Sequence, residues 1–141
     1  MHSFNDNLDY YRKLIVNHYS NPTHQGFTNN INSLIYQQSS ASCVDNFQVE
    51  IVISNNIVTS ARFMGTGCAI ATAATDLFCN LIEGKTNLQI KIIINNYELM
   101  LAKNKFDNNI IANLIAFKNV SRQPNRIKCA LIGINGIKKI L

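Results

Sequence analysis

Apolar and polar side chains alternate along two neighbouring segments in the first half of the chain. Residues 47–54 (FQVEIVIS) and 57–64 (IVTSARFM) follow the period of two that places successive side chains on opposite faces of a β-strand. The dipeptide Asn55-Asn56 between them has the length and residue type of a two-residue hairpin turn. The pattern therefore predicts an antiparallel hairpin, and residues 33–38 (SLIYQQ) predict an edge strand of the same sheet.

Apolar residues recur at helical spacing on either side of this hairpin. Residues 8–19 predict a helix for which Asn7 or Asp6 is the cap. A second helix is predicted to begin directly after Cys68 and to stop at Gly84. The apolar stripes comprise Leu8, Tyr11, Ile15 and Tyr19 in the first helix, and Ile70, Ala73, Ala74, Leu77, Phe78, Leu81 and Ile82 in the second.

Polar residues in and near these two helices have ordinary structural interpretations. Thr72, Thr75 and Asp76 form the polar stripe of the second helix, so we expect Asp76 to be solvated rather than catalytic. His18 lies in the first helix and is expected to pack there or to contact a partner, not to bind metal. His2 lies in an end that is predicted to fray.

The second half of the chain predicts further helices. Residues 86–106 fit either a strand or two short helices, and we favour helices. Residues 107–118 predict a helix with Asp107 as its cap, and a last helix is predicted from about Arg126, after Pro124 breaks the chain. With the strands, these helices predict one α+β domain over residues 1–141, in which a small antiparallel three-stranded sheet packs against several helices.

Two glycines interrupt the last predicted helix. Gly133 and Gly136 would each weaken it by roughly 1 kcal/mol relative to alanine. That cost is avoided only where a neighbouring element packs closely against the glycine. The glycines therefore predict either a weak helix or close packing of a neighbouring element at its centre.

Length and the N-terminal residues bear on the compartment. A chain of 141 residues buries an ordinary core without disulfides. Residues 1–14 (MHSFNDNLDYYRKL) are polar and acidic, which predicts no secretory signal, and no apolar run approaches the roughly 20 residues that span a bilayer. We therefore expect a cytoplasmic protein with no membrane partner. In that compartment four cysteines favour metal ligands or reactive thiols over disulfides.

The net charge of +5 is concentrated near the C-terminal end. Residues 118–141 contain six basic residues and no acidic one. Such a surface suits nucleic acid, an acidic protein partner, or a solvated helix face. Nucleic acid is disfavoured, because the basic residues are not interleaved with aromatic ones and match no nucleic-acid-binding module.

The cysteine positions predict a metal site. An uninterrupted hairpin register would place Cys43 opposite Cys68, and Asp45 would point to the same side as Cys43. Two soft sulfurs and a carboxylate suit zinc or iron and lack only a fourth donor. Cys79 lies 11 residues after Cys68, or about 16 Å of helix rise, so it cannot share that ion and is expected to be a packing residue.

Two of the cysteines are predicted to lie at helix N-termini. Cys68 precedes the second helix, and Cys129 falls in the first turn expected for the last helix, beside Arg126 and Lys128. Unpaired backbone N–H groups and the helix dipole favour a thiolate at such positions. Arg126 and Lys128 add positive charge there, either as support for the thiolates or as simple surface charge.

The order of the motifs resembles the U-type iron–sulfur assembly proteins, the family of IscU, SufU and the N-terminal domain of NifU. The likeness covers nearly the whole chain and is strongest in four segments. These are residues 11–26 (YRKLIVNHYSNPTHQG), Cys43-Val44-Asp45, residues 61–70 (ARFMGTGCAI) and residues 120–130 (VSRQPNRIKCA).

Two features are nearer to the SufU branch than to the IscU branch. The interval of 61 residues between Cys68 and Cys129 is longer than in IscU, by an insertion that corresponds to residues 86–106. Lys128 precedes the third cysteine, where IscU proteins have a histidine. The resemblance implies a zinc site formed by Cys43, Asp45, Cys68 and Cys129.

The resemblance also implies a function. SufU-like proteins receive sulfur from the persulfide of a cysteine desulfurase on the counterpart of Cys43 and pass it toward cluster assembly, on a downstream scaffold or apo-protein. The branch therefore implies a zinc-dependent sulfurtransferase. Val44 replaces the glycine of the family's Cys-Gly-Asp motif, and we expect the loop to be extended there, because a β-branched residue is strained at positive φ.

Two alternatives remain open at this stage. The same ligands could build a [2Fe–2S] cluster, with iron instead of zinc, which would make the protein a scaffold. From another class, a structural zinc domain could present the basic C-terminal residues to a partner without any sulfur chemistry. The two roles differ from the acceptor role in metal content and in the reactivity of the thiols.

Overall fold

The computed structural model describes residues 4–39 and 46–141. Its sheet contains three antiparallel strands in the order β1-β2-β3, namely β1 Leu34–Ser39, β2 Asn46–Ser54 and β3 Ile57–Thr66. The predicted hairpin turn is confirmed, since Asn55 and Asn56 adopt φ values of 52° and 65°, the left-handed conformation that such a turn requires. The edge position predicted for the first strand is also confirmed.

The hairpin register differs from the uninterrupted one by a single residue. Ile53 pairs with Val58 as expected, but the register shifts between Val52 and Ile53, and Val52 then pairs with Ser60. A bulge of this kind places an extra residue on one strand and shifts every later pair. The register that placed Cys43 opposite Cys68 was therefore wrong beyond Val52.

Helices cover one face and the ends of this sheet. Within the described residues they are α1 Phe4–Ser20, α2 Ala69–Ile82, α3 Asn87–Leu101, α4 Asn108–Ile111, a 3-10 helix Ala112–Arg122, and α5 Pro124–Ile140. Together with the sheet they confirm the predicted α+β class. No helix in this part of the chain has both the length and the apolar character needed to cross a bilayer.

Several helix boundaries differ from the predicted ones. α1 begins at Phe4, so Asn7 and Asp6 lie inside the helix rather than at its cap. Tyr19 is 47% exposed, and Leu14 packs against the core in its place, beside Tyr11 and Ile15. Residues 87–101 form one helix, which begins with a capping box between Thr86 and Gln89.

The region after α3 follows the prediction in part. Asp107 caps α4 by accepting a hydrogen bond from Asn109 N at 2.9 Å. Ala112, with φ 48°, ends α4 after one turn, and a 3-10 helix continues to Arg122. Pro124 is the first residue of α5 rather than a break before it, because proline needs no hydrogen-bond partner for its nitrogen there.

α2 lies at the centre of the core. Nine consecutive residues, Ala71 to Cys79, are buried, which shows that this helix is enclosed on all sides rather than amphipathic. Gly133 of α5 packs against Thr75 of α2, and a Cβ there would overlap the threonine side chain. The predicted close packing is thus present at Gly133, and a Cβ on Gly136 would lie 3.1 Å from the side chain of Val49 on β2. The largest fully buried side chains are Tyr97, Phe47, Phe63, Phe78 and Phe117.

Candidate metal centre

Cys68 is the N-cap of α2, as predicted. Its Sγ accepts a hydrogen bond from Ala71 N at 3.4 Å, and its carbonyl accepts the first helical bond from Thr72 N at 3.0 Å. The residue is half-buried and packs against the core. A sulfur at this position faces the N–H groups that open the helix, which is a favourable place for a metal-binding sulfur.

The segment before Cys68 is a strand end rather than a flexible turn. β3 continues through Thr66, so Gly65 and Thr66 belong to the strand. Gly65 has φ 126°, and a Cβ at this position would overlap the backbone oxygen of Asn46 on β2. Glycine is required here because the two strands approach too closely for a side chain. The direction in which the chain enters Cys68 is therefore fixed by the sheet.

Cys129 occupies a different position from the one predicted. α5 begins at Pro124, so Cys129 is its sixth residue and lies beyond the first turn. Its Sγ lies 3.9 Å from the carbonyl oxygen of Asn125, and the residue is only 1% exposed. The argument that a helix N-terminus favours the thiolate of Cys129 was therefore wrong. Its neighbours Arg126 and Lys128 are exposed.

Tyr97 connects the turn that carries Cys129 to α3. Its hydroxyl donates a hydrogen bond to the carbonyl of Ala130 at 2.9 Å. Burial raises the pKa of Tyr97 far above its usual value, so the hydroxyl remains a neutral donor. The backbone next to Cys129 is thus held from the side of α3.

Cys43 and Asp45 lie outside the described residues, as does Val44. The residues that flank them are placed, since Ser39 pairs with Asn46 and Asn46 pairs with Thr66. Ser39 and Asn46, which flank the segment, therefore lie at the same end of the sheet as Thr66, where β3 leads into Cys68. Among the described residues, no group of three or more His, Cys, Asp or Glu side chains could hold a metal ion. The four-ligand site stays a prediction.

Of the proposed ligands, Cys68 caps α2 and Cys129 lies in α5, and these two helices pack together. Gly133 and Thr75 form the contact between α5 and α2. Cys129 precedes Gly133 in α5, and Cys68 precedes Thr75 in α2. Each sulfur therefore precedes the residue through which its own helix makes this contact. Their soft thiol chemistry fits zinc or iron, and a carboxylate donor would also be compatible with either ion.

Asp76 is buried, which contradicts the expectation that it is solvated. The residue is 0% exposed, and its carboxylate accepts hydrogen bonds from His18 Nδ1 at 2.5 Å and from the backbone nitrogens of Thr23 and His24 at 2.9 and 2.8 Å. These partners lie more than 50 residues away in sequence. Asp76 therefore anchors the segment after α1 to the helix that begins at Cys68. For His18, packing within the fold is confirmed.

The same segment is attached to β3. His24 Nε2 donates to Glu83 Oε1 at 2.8 Å, and Glu83 Oε2 accepts from Ala61 N at 3.1 Å. Phe63 exchanges backbone hydrogen bonds with His24 and Gly26, at 3.0 and 2.9 Å. The segment thereby covers the outer edge of β3, which is the strand that leads to Cys68.

Cys79 is a packing residue, as expected. It is 0% exposed, and burial, followed by the charges of Asp76 and Glu83, raises the pKa of its thiol well above the usual value. A thiol in this state is a poor nucleophile and a poor metal ligand. Cys79 is thus chemically inert, in contrast to the role expected for the cysteines of the motifs.

The amino-acid sequence is similar to those of known iron–sulfur cluster assembly proteins. Residues 10–130 match the NifU-like N-terminal domain. The chain is 32% identical to the zinc-dependent sulfurtransferase SufU of Bacillus subtilis, over 97% of this chain and 93% of that protein. It is 26% identical to the iron–sulfur cluster assembly scaffold protein IscU of Thermotoga maritima, over 77% of each chain.

Solved structures agree on the fold. The SufU assembly scaffold protein of the SUF system from Fervidobacterium islandicum AW-1 superimposes with a TM-score of 0.84 and 25% identity, over 91% of this chain and 93% of that one. The N-terminal NifU-like protein of Brucella abortus gives a TM-score of 0.83 at 17% identity, which speaks for the fold alone.

Proposed function

Because the chain belongs to the NifU-like N-terminal domain family, we propose that it is an iron–sulfur cluster assembly protein that accepts sulfur from a cysteine desulfurase. The observation that carries this proposal is the similarity to the zinc-dependent sulfurtransferase SufU over 97% of the chain. A match over 97% of the chain spans the segments in which Cys43, Cys68 and Cys129 lie. The placement of Cys68 at the start of α2 supports it.

The proposed ligands are Cys43, Asp45, Cys68 and Cys129. Zinc bound there would keep the thiols deprotonated at neutral pH. Cys68 and Cys129 serve as holding ligands, because one is fixed as a helix cap and the other is buried within α5. Asp45 is the hard donor of the set, and a carboxylate makes the site less purely thiolate than a structural four-cysteine site.

Cys43 is the proposed acceptor. Its thiolate attacks the terminal sulfur of the donor's cysteine persulfide, the sulfur–sulfur bond of the donor breaks, and the donor cysteine leaves as a thiolate. The product is a persulfide on Cys43, and no external oxidant or reductant is consumed. The sulfur then moves on to a downstream scaffold or apo-protein. We propose that the reaction takes place in the cytoplasm, where thiols remain reduced. We also propose that residues 1–141 form a single domain that carries it out.

The similarity to IscU of Thermotoga maritima makes a scaffold role the second candidate. In that role the same four residues would hold a [2Fe–2S] cluster. Metal analysis and an absorption spectrum of freshly purified protein separate the two. Colourless protein with one zinc per chain supports the acceptor, and brown protein with iron and sulfide supports the scaffold.

Sulfur transfer is tested by incubating the zinc-loaded protein with a cysteine desulfurase and cysteine, followed by mass spectrometry of alkylated peptides. We expect one added sulfur atom on the peptide of Cys43 and none in Cys43→Ala. The matched control is Cys79→Ala, which removes a thiol from outside the site and should transfer sulfur normally. Normal sulfur uptake by Cys43→Ala would refute the assignment.

A further inference from the structure

A basic cavity lies on the surface between α3 and the 3-10 helix. It has a volume of about 690 Å³, and Met100 and Phe106 contribute apolar surface to its wall. Four basic residues line it, and all four are exposed. We call this the basic cavity and define it by Lys103, Lys105, Lys118 and Arg122.

Hydrogen bonds fix the loop that carries two of these cations. Lys103 N donates to Met100 O at 3.1 Å, and Asn104 N donates to Leu99 O at 2.9 Å, so the loop closes the end of α3. At its other end, Asp107 N donates to the side-chain oxygen of Asn96 at 3.0 Å. The loop is therefore held at both ends, and it presents Lys103 and Lys105 from a defined backbone.

A third cation is held over an aromatic ring. Lys118 Nζ lies 5.9 Å from the centroid of the Phe106 ring, and Phe106 packs against the core. A cation–π contact of this kind restricts the lysine without neutralising its charge. The positive charge at the wall of the cavity is thus positioned as well as concentrated.

Three charges of this cavity, those of Lys103, Lys105 and Arg122, have no ion-pair partner within the described part of the chain. Asp107 is the acidic neighbour in sequence, but its carboxylate accepts the hydrogen bond that caps α4 and does not line the cavity. The like charges of Lys103, Lys105 and Arg122 on one concave surface create a field that selects an anionic occupant.

The position of the cavity indicates which partner protein would supply the anionic group. Arg122 ends the 3-10 helix, and only Gln123 separates it from α5, the helix of Cys129. A protein that delivers sulfur near Cys129 would therefore also cover this cavity. We propose that the basic cavity binds an acidic surface segment of the cysteine desulfurase; this inference rests on the function proposed above.

Charge reversal at two loop positions tests the proposal. The variant Lys103→Glu/Lys105→Glu changes only exposed side chains, and the matched control Lys91→Glu/Lys139→Glu makes the same change in net charge at exposed positions outside the cavity. Sulfur uptake is measured against desulfurase concentration at low and high salt. A labelled deca-glutamate peptide serves as a second probe, by fluorescence anisotropy.

For the cavity variant we expect the half-saturating desulfurase concentration to rise about tenfold at low salt, with an unchanged rate at saturation. The difference should shrink at high salt, because screening weakens contacts between exposed charges. The control should behave like the unaltered protein. Deca-glutamate should bind the unaltered protein and the control, but not the cavity variant.

Each failure has its own signature. If the unaltered protein takes up no sulfur, the proposed function fails, and the deca-glutamate probe alone then decides whether the cavity binds acidic segments. If uptake is normal and both variants have the same half-saturation, the cavity proposal is wrong. Tighter binding of a single-stranded oligonucleotide than of deca-glutamate at the same residues would also overturn it.

Discussion

Gly133 of α5 lies directly against Thr75 of α2, so closely that a methyl group on the glycine would overlap the threonine side chain. Gly133→Ala should therefore destabilise the protein by about 1–3 kcal/mol, although alanine is the better helix former by roughly 1 kcal/mol. Urea unfolding followed by circular dichroism measures the difference. An unchanged or increased free energy of unfolding would contradict the close contact.

Truncation of the neighbour provides the control for this prediction. Thr75→Ala removes two of the three atoms that a Cβ on Gly133 would meet. The double variant Gly133→Ala/Thr75→Ala should therefore lose less stability than the sum of the two single variants. Additive losses would mean that the cost of Gly133→Ala arises elsewhere than at this pair.

Asp76 should be important for stability rather than for sulfur chemistry. Asp76→Asn keeps the size of the side chain, but its single carbonyl oxygen cannot accept all the bonds that the carboxylate accepts from His18, Thr23 and His24. We expect a loss of about 2–3 kcal/mol in the free energy of unfolding. Asp9→Asn, on the exposed face of α1, is the control and should change stability by less than about 0.5 kcal/mol.

The carboxylate of Glu50 should stabilise the fold at neutral pH, and we expect this part of the free energy of unfolding to be lost in acid. Burial alone would raise the pKa of this carboxyl, but hydrogen bonds from Thr28, Ser33 and Asn29 together outweigh it and hold the pKa below its usual value. A lowered pKa in the folded state stabilises the protein above the unfolded-state value, near 4.3, and this stabilisation is lost as the pH falls through the folded-state pKa.

Glu50→Gln should therefore be less stable than the unaltered protein at neutral pH, by about 1–3 kcal/mol. The difference should become smaller as the pH falls below about 4.3. Thermal melts between acidic and neutral pH measure it. A difference that stays constant over this range would show that the charge of Glu50 does not stabilise the fold.

Removal of the metal should leave the reactivity of Cys79 toward an alkylating reagent unchanged, unlike that of the proposed ligands Cys43 and Cys68. Cys79 is fully buried and its thiol has a raised pKa, so it should resist iodoacetamide in the folded protein with or without a chelator. Cys43 and the half-buried Cys68 should become reactive when the chelator removes zinc, and the melting temperature should fall. Peptide mass spectrometry gives the site of labelling. Labelling of Cys79 before the protein unfolds would contradict the buried assignment.

Sequence alone predicted the elements that depend on neighbouring residues. The Asn55-Asn56 turn, the start of α2 at Cys68 and the Asp107 cap are decided by local backbone geometry and short hydrogen bonds, and each is present. The single helix α3 could also have been found, because its capping box of Thr86 and Gln89 is visible in the sequence.

Tertiary structure decided what depends on distant partners. Asp76 has a polar neighbourhood in sequence, but its burial depends on His18, Thr23 and His24, which only the folded chain brings to it. The register shift between Val52 and Ile53 is likewise seen only in the pairing of the folded strands, and it moved the register that had linked two cysteines. The sequence thus determined which residues are chemically able to bind a metal and where the hairpin turn, α2 and α4 begin. Long-range packing decided which polar groups are buried and how the strands align, because those choices depend on contacts that no local pattern encodes.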